Sequence, residues 1–156
     1  MTSLKRRLYL YTAGYRDSET GKRKAPESFY GSLPGEAAVV DIRARAYSPF
    51  APEYTGKGVE AAVRKWKGGS HTFHHLRALG NTNRDADGKR RSPPIYVDGE
   101  SGLAQLEEYL ALYGQVVIFC ACPHATLDSA THRCHRFFVA EEMAARIPRL
   151  VVKHLP

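Results

Sequence analysis

The chain has 156 residues, enough for one domain with its own core, and we expect residues 1–156 to form a single domain. Its 43% hydrophobic and 25% charged residues argue against disorder, and no apolar run approaches the ~20 residues that cross a bilayer. The formal net charge of +7 favours anionic partners such as nucleotides, nucleic acid or phosphorylated metabolites. The odd cysteine count and the lack of a secretory signal argue against a disulfide framework and predict a cytoplasmic protein with no membrane partner.

The first half of the chain alternates strand and helix patterns. LYLYTAGY, at 8–15, predicts a first strand that breaks up at Gly14. Pro26 suits a first helical position and predicts a short helix through ESFYGSL. The compact apolar run at 37–42 predicts a buried strand, and the apolar spacing of KGVEAAVRKWK, at 57–67, predicts a helix that covers a sheet.

The second half continues the alternation. SHTFHHLRALGN predicts a third strand, and the polar segment at about 82–94, punctuated by glycine and proline, predicts a mobile loop that could act as a lid. SGLAQLEEYLALYG has helical spacing, with Ser101 as the N-cap and Gly114 as the C-terminal stop. QVVIFCA is the strongest strand pattern, followed by a helix in CHRFFVAEEMAARI and a last strand in LVVKHL. We therefore predict an α/β fold: one three-layer Rossmann-like domain with a mostly parallel sheet flanked by helices.

Ligands of an open parallel sheet bind beyond the carboxyl ends of its strands, so the residues just after each strand are site candidates. Glycines there would let a ligand approach the backbone, an asparagine amide could bind a base or a sugar, and arginines would bind anionic oxygens. The last helix adds an arginine near its N-terminus, where anions are favoured. The predicted substrate-binding residues are Gly14, Tyr15, Arg43, Arg77, Gly80, Asn81 and Arg136.

Asp41 directly ends an apolar run and has two interpretations. The carboxylate is either a general base and substrate ligand or a capping acceptor for the nearby backbone. Arg43 lies one pleat further and points to the same side if the strand continues, so it would keep the carboxylate ionised. A structural salt bridge between the two is the alternative, and it is compatible with a binding role.

The stretch at 116–143 contains all three cysteines and offers several metal ligands. One hypothesis is a zinc site made by Cys120, Cys122, Cys134 and His124, although the spacing is not that of a standard zinc finger. Another is an anion site at the start of the last helix, whose dipole would also lower the pKa of a nearby thiol. Core packing of inert cysteines is the third. The sequence leaves these three open.

YTAGY, VVDIRARAYSPF, HHLRALGN, VVIFCAC and HRCHRFFVAEEM occur in the order found in the domain-of-unknown-function family 488, which the chain resembles over nearly its whole length. The resemblance implies a short α/β domain. Three features depart from the family pattern: Cys122 replaces an acidic residue, Asn81 replaces a second glycine, and His124 and His132 belong to an insertion. The resemblance implies site roles for Gly14, Tyr15, Asp41, Arg43, Leu79, Gly80, Cys120, Cys134, His135 and Arg136.

Two functional hypotheses follow. The first is a small enzyme for a nucleotide-like or phosphate-bearing substrate, with nucleic acid included, whose catalytic candidates are Asp41, Cys120, Cys134 and His135. His135 would transfer protons near neutral pH. The second is a non-catalytic nucleic-acid-binding module, stabilised by zinc through the Cys/His cluster. The substrate, the reaction and the oligomeric state do not follow from the sequence.

Overall fold

Alternating strands and helices build the fold, as the apolar patterns of the chain predict. The structure is a computed structural model that describes residues 6–17, 19–67, 72–122 and 134–156. Two short 3₁₀ helices, at Pro52–Tyr54 and Arg77–Leu79, interrupt the loops. The other elements, in chain order, are β1 (Leu8–Gly14), α1 (Pro26–Ser32), β2 (Ala38–Asp41), α2 (Lys57–Lys67), β3 (Phe73–His75), α3 (Gly99–Tyr113), β4 (Gln115–Cys120), α4 (His135–Arg146) and β5 (Leu150–His154).

The five strands form one parallel sheet in the order β3-β2-β4-β1-β5. In the registers of β4 with its two neighbours, Ile118 pairs with Thr12 of β1 and with Val40 of β2. The β-branched run of β4 suits this central place, because a strand buried on both faces is nearly continuous in apolar residues. The prediction of an α/β, Rossmann-like three-layer fold is confirmed.

Alternate side chains of β4 enter two separate cores. Ile118 and Cys120 pack in the core that contains residues of α3 and α4. Phe119 packs on the opposite face with residues of α1 and α2. The chain moves one way along the sheet from β1 to β3 and returns through β4 to β5, so right-handed crossovers place the two helix pairs on opposite faces. The loops after β1 and β4 therefore diverge and open a crevice between neighbouring strand ends.

The ends of α3 show where local prediction succeeds and where it fails. Gly114 ends the helix with a φ of 78°, as predicted. The predicted N-cap, Ser101, is wrong. Asp98 is the N-cap, and its carboxylate accepts a hydrogen bond from the backbone N–H of Ser101 at 3.3 Å, so the helix begins at Gly99. None of the helices in the described ranges combines the length and the apolar character that a membrane crossing requires.

Candidate active site

A cleft of about 900 Å³ opens at the carboxyl ends of the strands. Its floor is formed by Ala121 and Cys122, which follow β4, and by Cys134 and His135 at the start of α4. Within the described ranges its walls come from three loops: the residues after β1, the segment 47–49 after β2, and the segment 81–92. The cleft therefore lies where the crossover pattern opens the sheet, and it gathers residues that follow β1, β2 and β4.

Basic side chains dominate the walls of the cleft. Among the residues that the structure describes, five of them line it, against the single carboxylate of Asp85. That carboxylate already lies 3.7 Å from a guanidinium nitrogen of Arg91, whose side chain is exposed. A cavity lined mainly by one sign of charge concentrates ligands of the opposite sign. The five basic residues are Arg16, Arg84, Lys89, Arg90 and Arg91.

The segment 81–96, which we call the basic hairpin, folds back on itself in an antiparallel manner through the bridge between Arg84 and Arg90. Asp85 Oδ1 closes the turn by accepting backbone hydrogen bonds from Asp87 and Lys89, both at 2.9 Å. Gly88 permits the tight turn because its φ is 78°. The structure thus gives the predicted lid segment a defined shape; its mobility stays a prediction.

Asn81 holds the base of the basic hairpin. Its side-chain oxygen accepts from the backbone N–H of Asn83 at 2.8 Å and of Ile95 at 3.1 Å, and its Nδ2 donates to the carbonyl of Arg91 at 3.2 Å. These bonds occupy the amide that we expected to bind a base or a sugar. At the neighbouring candidate, Gly80, close backbone packing explains the need for glycine, because a Cβ there would lie 2.2 Å from Ala44 Cα.

Asp41 and Arg43 form a buried, two-pronged ion pair. Arg43 Nη2 donates to Asp41 Oδ2 at 2.7 Å, and Arg43 Nε donates to Oδ1 at 2.9 Å. Tyr15 accepts a further bond from Arg43 Nη1 at 3.1 Å and stacks on Tyr54, with the ring centroids 4.2 Å apart. Asp41 has no exposed surface. We therefore assign Asp41 to holding Arg43, as in the salt-bridge interpretation, and not to contact with a substrate.

Arg43 and Arg77 differ in their access to a ligand. Arg43 is only 3% exposed but borders a smaller recess of about 200 Å³, beside His135. Arg77 lies in the exposed part of a 3₁₀ helix and lines neither this recess nor the main cleft. The structure does not bring Arg77 to the candidate site, because the 3₁₀ helix that follows β3 leaves this side chain exposed.

The thiols of Cys120 and Cys134 lie at the bottom of the site, with their sulfur atoms 2.9 Å apart. Arg136 Nη1 donates to Cys120 Sγ at 3.3 Å and to the carbonyl of Cys122 at 3.1 Å. Gly14 makes room for this arrangement: a Cβ there would lie 2.8 Å from Arg136 Nη1 and 2.7 Å from the carbonyl oxygen of Cys122. The glycine predicted to admit a ligand instead admits a guanidinium group.

The positive charge of Arg136 polarises the thiol pair. Among the described residues no carboxylate forms an ion pair with this guanidinium, which is 3% exposed and contacts sulfur. Burial opposes ionisation of Cys120, but the hydrogen bond from Cys134 and the charge of Arg136 outweigh it, and the pKa of Cys120 falls well below its usual value. Burial and the hydrogen bond with Cys120 raise the pKa of Cys134.

His135 presents one defined nitrogen to the thiols. Its Nε2 lies 3.1 Å from the carbonyl oxygen of Ile42, which can only accept, so Nε2 carries the proton. Nδ1 lies 3.9 Å from Cys134 Sγ and keeps its lone pair in the neutral ring. Burial lowers the pKa of His135, and the ring therefore stays neutral at physiological pH.

Cys120, Cys134 and His135 could together hold a metal ion, because their ligand atoms lie within 4.8 Å of one another. Two thiols and an imidazole nitrogen match the donor preferences of zinc. The group keeps two members of the predicted set and replaces the others with His135. Cys122 does not belong to it, and His124 lies outside the described residues. The second insertion histidine, His132, lies outside them as well.

Sequence reasoning missed the residues that give the cleft its charge. KRR at 89–91 was recognisable as a basic cluster, but it follows no strand, and nothing in its spacing placed it above the ends of β1 and β4. Tyr47 and Ser48 were missed because they lie several residues beyond the end of β2. The convergence of Cys134, His135 and Arg136 with the end of β4 was predicted, and the structure brings these residues together.

Comparison with models of known protein families gives no match for this chain, and searches for similar curated proteins and solved structures give none either. The resemblance to the domain-of-unknown-function family 488 therefore stays a prediction, carried by the ordered motifs alone.

Proposed function

We propose that the protein is an enzyme that binds a nucleotide-like or phosphate-bearing substrate in the cleft. The observation that carries the proposal is the pairing of a basic wall with a floor of reactive side chains. A volume of about 900 Å³ suits a small-molecule site, for which roughly 300–1,000 Å³ is usual. Arginine forks bind phosphate oxygens through paired hydrogen bonds, and the exposed hairpin arginines are available for this.

The floor supplies the groups for chemistry. Cys134 and His135 line the cleft directly, so they are the residues that would contact a substrate. His135 presents an unprotonated Nδ1 toward Cys134 and can accept a proton there. Cys120 and Arg136 lie behind them and act through Cys134. Tyr47, at the rim and 61% exposed, offers an aromatic face on which a base can stack.

Calorimetric titration with nucleoside mono- and triphosphates and with short single-stranded RNA and DNA tests the proposal. Arg91→Ala should weaken binding at least about ten-fold, because a charge-assisted hydrogen bond contributes roughly 1.5–3 kcal/mol. Arg64→Ala is a matched control: both arginines are 61% exposed and both pair with a carboxylate, but Arg64 lies on α2, away from the cleft. Absence of binding to the wild-type protein, or equal loss in the two variants, would contradict the proposal.

A second candidate is a non-catalytic nucleic-acid-binding module that zinc stabilises. The group formed by Cys120, Cys134 and His135 favours it, together with the net charge of +7. This module would contain stoichiometric zinc by elemental analysis, and a chelator would lower its melting temperature. Its affinity for nucleic acid would fall steeply with salt, since phosphate contacts release counterions. A metal-free protein with salt-insensitive binding would exclude this candidate.

A further inference from the structure

We propose that Cys120 and Cys134 are a site of reversible two-electron oxidation by hydrogen peroxide, at which the two thiols close to a disulfide. The inference does not depend on the identity of the ligand in the cleft. It rests on the separation of the two sulfur atoms, on the guanidinium group beside one of them, and on the position of the other at the cleft floor.

The geometry brings the sulfurs near to bonding distance. They lie 2.9 Å apart, and a disulfide requires about 2.05 Å, so closure needs a sulfur movement of roughly 1 Å. The two residues sit on different elements. Cys120 ends β4, and Cys134 is the N-cap of α4, 14 positions later in the chain. The fold therefore holds the pair together without any covalent link between them.

Arg136 supports the charge that the reaction needs. Its Nη1 lies 3.3 Å from Cys120 Sγ, so negative charge on that buried sulfur is stabilised by the guanidinium. Gly14 secures the position of the guanidinium, because any larger residue would overlap it. Cys120 is therefore the attacking sulfur and Cys134 the resolving one.

The oxidation has two steps, and each conserves atoms and electrons. The Cys120 thiolate attacks one oxygen of hydrogen peroxide, the O–O bond breaks, and the departing hydroxide takes a proton from solvent to become water. Cys120 is then a sulfenic acid. The sulfur of Cys134 attacks the sulfur of Cys120, an S–S bond forms as the S–O bond breaks, and the leaving hydroxide takes the thiol proton of Cys134 as a second water. Both thiols together lose two electrons, and the peroxide gains them. A dithiol reductant reverses the reaction.

Burial makes the site selective for a small oxidant. Cys120 is 0% exposed and Cys134 is 3% exposed, and the latter borders the cleft. Hydrogen peroxide, which is close to water in size, can approach along Cys134, whereas bulky reagents cannot. We therefore expect fast oxidation by hydrogen peroxide and slow reaction with cumene hydroperoxide or an aromatic disulfide reagent.

The test is peroxide treatment of the reduced full-length protein, followed by intact mass and peptide mapping, with elemental analysis of the same sample. The expected product has lost two hydrogen atoms and contains one disulfide, between Cys120 and Cys134. Cys134→Ser should stop at a sulfenic acid on Cys120 that dimedone traps. Cys122→Ser should still form the disulfide. A chelator-treated sample is run in parallel, so that a bound metal cannot mask the thiols.

Two variants keep the test valid if a cysteine change impairs folding. Arg136→Met should slow oxidation at least ten-fold, and Arg64→Met should leave the rate unchanged, with circular dichroism confirming that both are folded. The proposal is overturned if neither the untreated nor the chelated protein forms the disulfide, if the disulfide involves Cys122, or if Arg136→Met reacts at the wild-type rate. None of these results bears on nucleotide binding.

Discussion

Gly14 and Arg136 are in close contact: a Cβ atom added to Gly14 would lie 2.8 Å from Nη1 of the Arg136 guanidinium. Gly14 ends β1 and Arg136 lies in the first turn of α4, so the contact joins the end of this strand to the start of the helix at the cleft. The carbonyl of Cys122 fills the rest of the space, at 2.7 Å from the same Cβ position. The absence of a side chain at Gly14 is therefore a structural requirement of the thiol site.

Gly14→Ala should destabilise the protein by about 1–3 kcal/mol, the usual cost of adding a methyl group to a filled interior. Arg136 would have to leave Cys120, so peroxide oxidation should slow as well. Denaturant unfolding measures the first effect. Gly31→Ala is the control, because this glycine lies within α1 and a Cβ there would meet no atom within 4 Å. Alanine at this site should stabilise the protein by roughly 0.5–1 kcal/mol. Equal stability of the two variants would contradict the role assigned to Gly14.

Asp41→Asn should destabilise the protein by about 3–5 kcal/mol, because Arg43 would keep its charge in a buried place without a counterion. Unfolding free energies of Asp41→Leu, Arg43→Leu and the double variant form the relevant cycle. The double variant should lose less unfolding free energy than the two single variants lose together. Glu60→Gln breaks an exposed pair with Arg64 and should cost under about 1 kcal/mol. Additive losses at Asp41 and Arg43 would refute the coupling.

Asn81→Ala should loosen the basic hairpin. Its amide satisfies two backbone N–H groups and one carbonyl, and the loss of a buried partner costs about 1–3 kcal/mol. Hydrogen exchange at the backbone amides of Asn83 and Ile95 should accelerate, while exchange in β4 stays slow. Asn83→Ala removes a single hydrogen bond to the carbonyl of Pro93 and should have the smaller effect. Unchanged exchange in the hairpin of Asn81→Ala would show that other contacts hold it.

The imidazole of His74 predicts part of the pH dependence of stability. Burial lowers the pKa of His74 below its ordinary value of 6.5, where the ring stacks on Tyr109 and bonds to the hydroxyl of Tyr113. The unfolded chain then binds more protons than the folded one just below pH 6.5, so stability falls as the pH drops through that range.

His74→Gln should flatten this fall when urea unfolding is measured between about pH 5 and 8, a range set by the ordinary pKa of histidine. If the unfolding free energy of His74→Gln depends on pH as steeply as that of the wild-type protein, His74 does not contribute to the pH dependence. Burial also lowers the pKa of His135. The contribution of His74 is therefore obtained by subtracting the stability curve of His74→Gln from that of the wild-type protein.

The fold was predictable because its decisive segments carry strong local patterns. The run at 115–120 reads as a fully buried strand and is the centre of the sheet. The end of α3 at Gly114 follows from the backbone freedom of glycine. The start of α3 was predicted wrongly because Ser101 and Asp98 are both good caps, and only the backbone shows which side chain accepts the bond.

The floor of the candidate site was predictable and its walls were not. A helix that follows a parallel strand starts at the edge where the strands end, which brings Cys134 and His135, at the start of α4, toward Cys120 at the end of β4. Burial was not visible in the sequence, so Asp41 looked available as a base although its carboxylate is enclosed by Arg43. The placement of the basic hairpin depends on bonds such as those of Asn81, which have no periodic signal.

The cleft has two origins, a floor fixed by the packed sheet and walls formed by loops, among them the basic hairpin that Asn81 helps to hold. Changes in the length or charge of the hairpin can therefore alter what enters the cleft while the sulfur pair beneath keeps its geometry. Proteins with this architecture could change the molecules that they accept without changes in the buried core. Laboratory redesign of specificity should therefore begin at the turn of the basic hairpin.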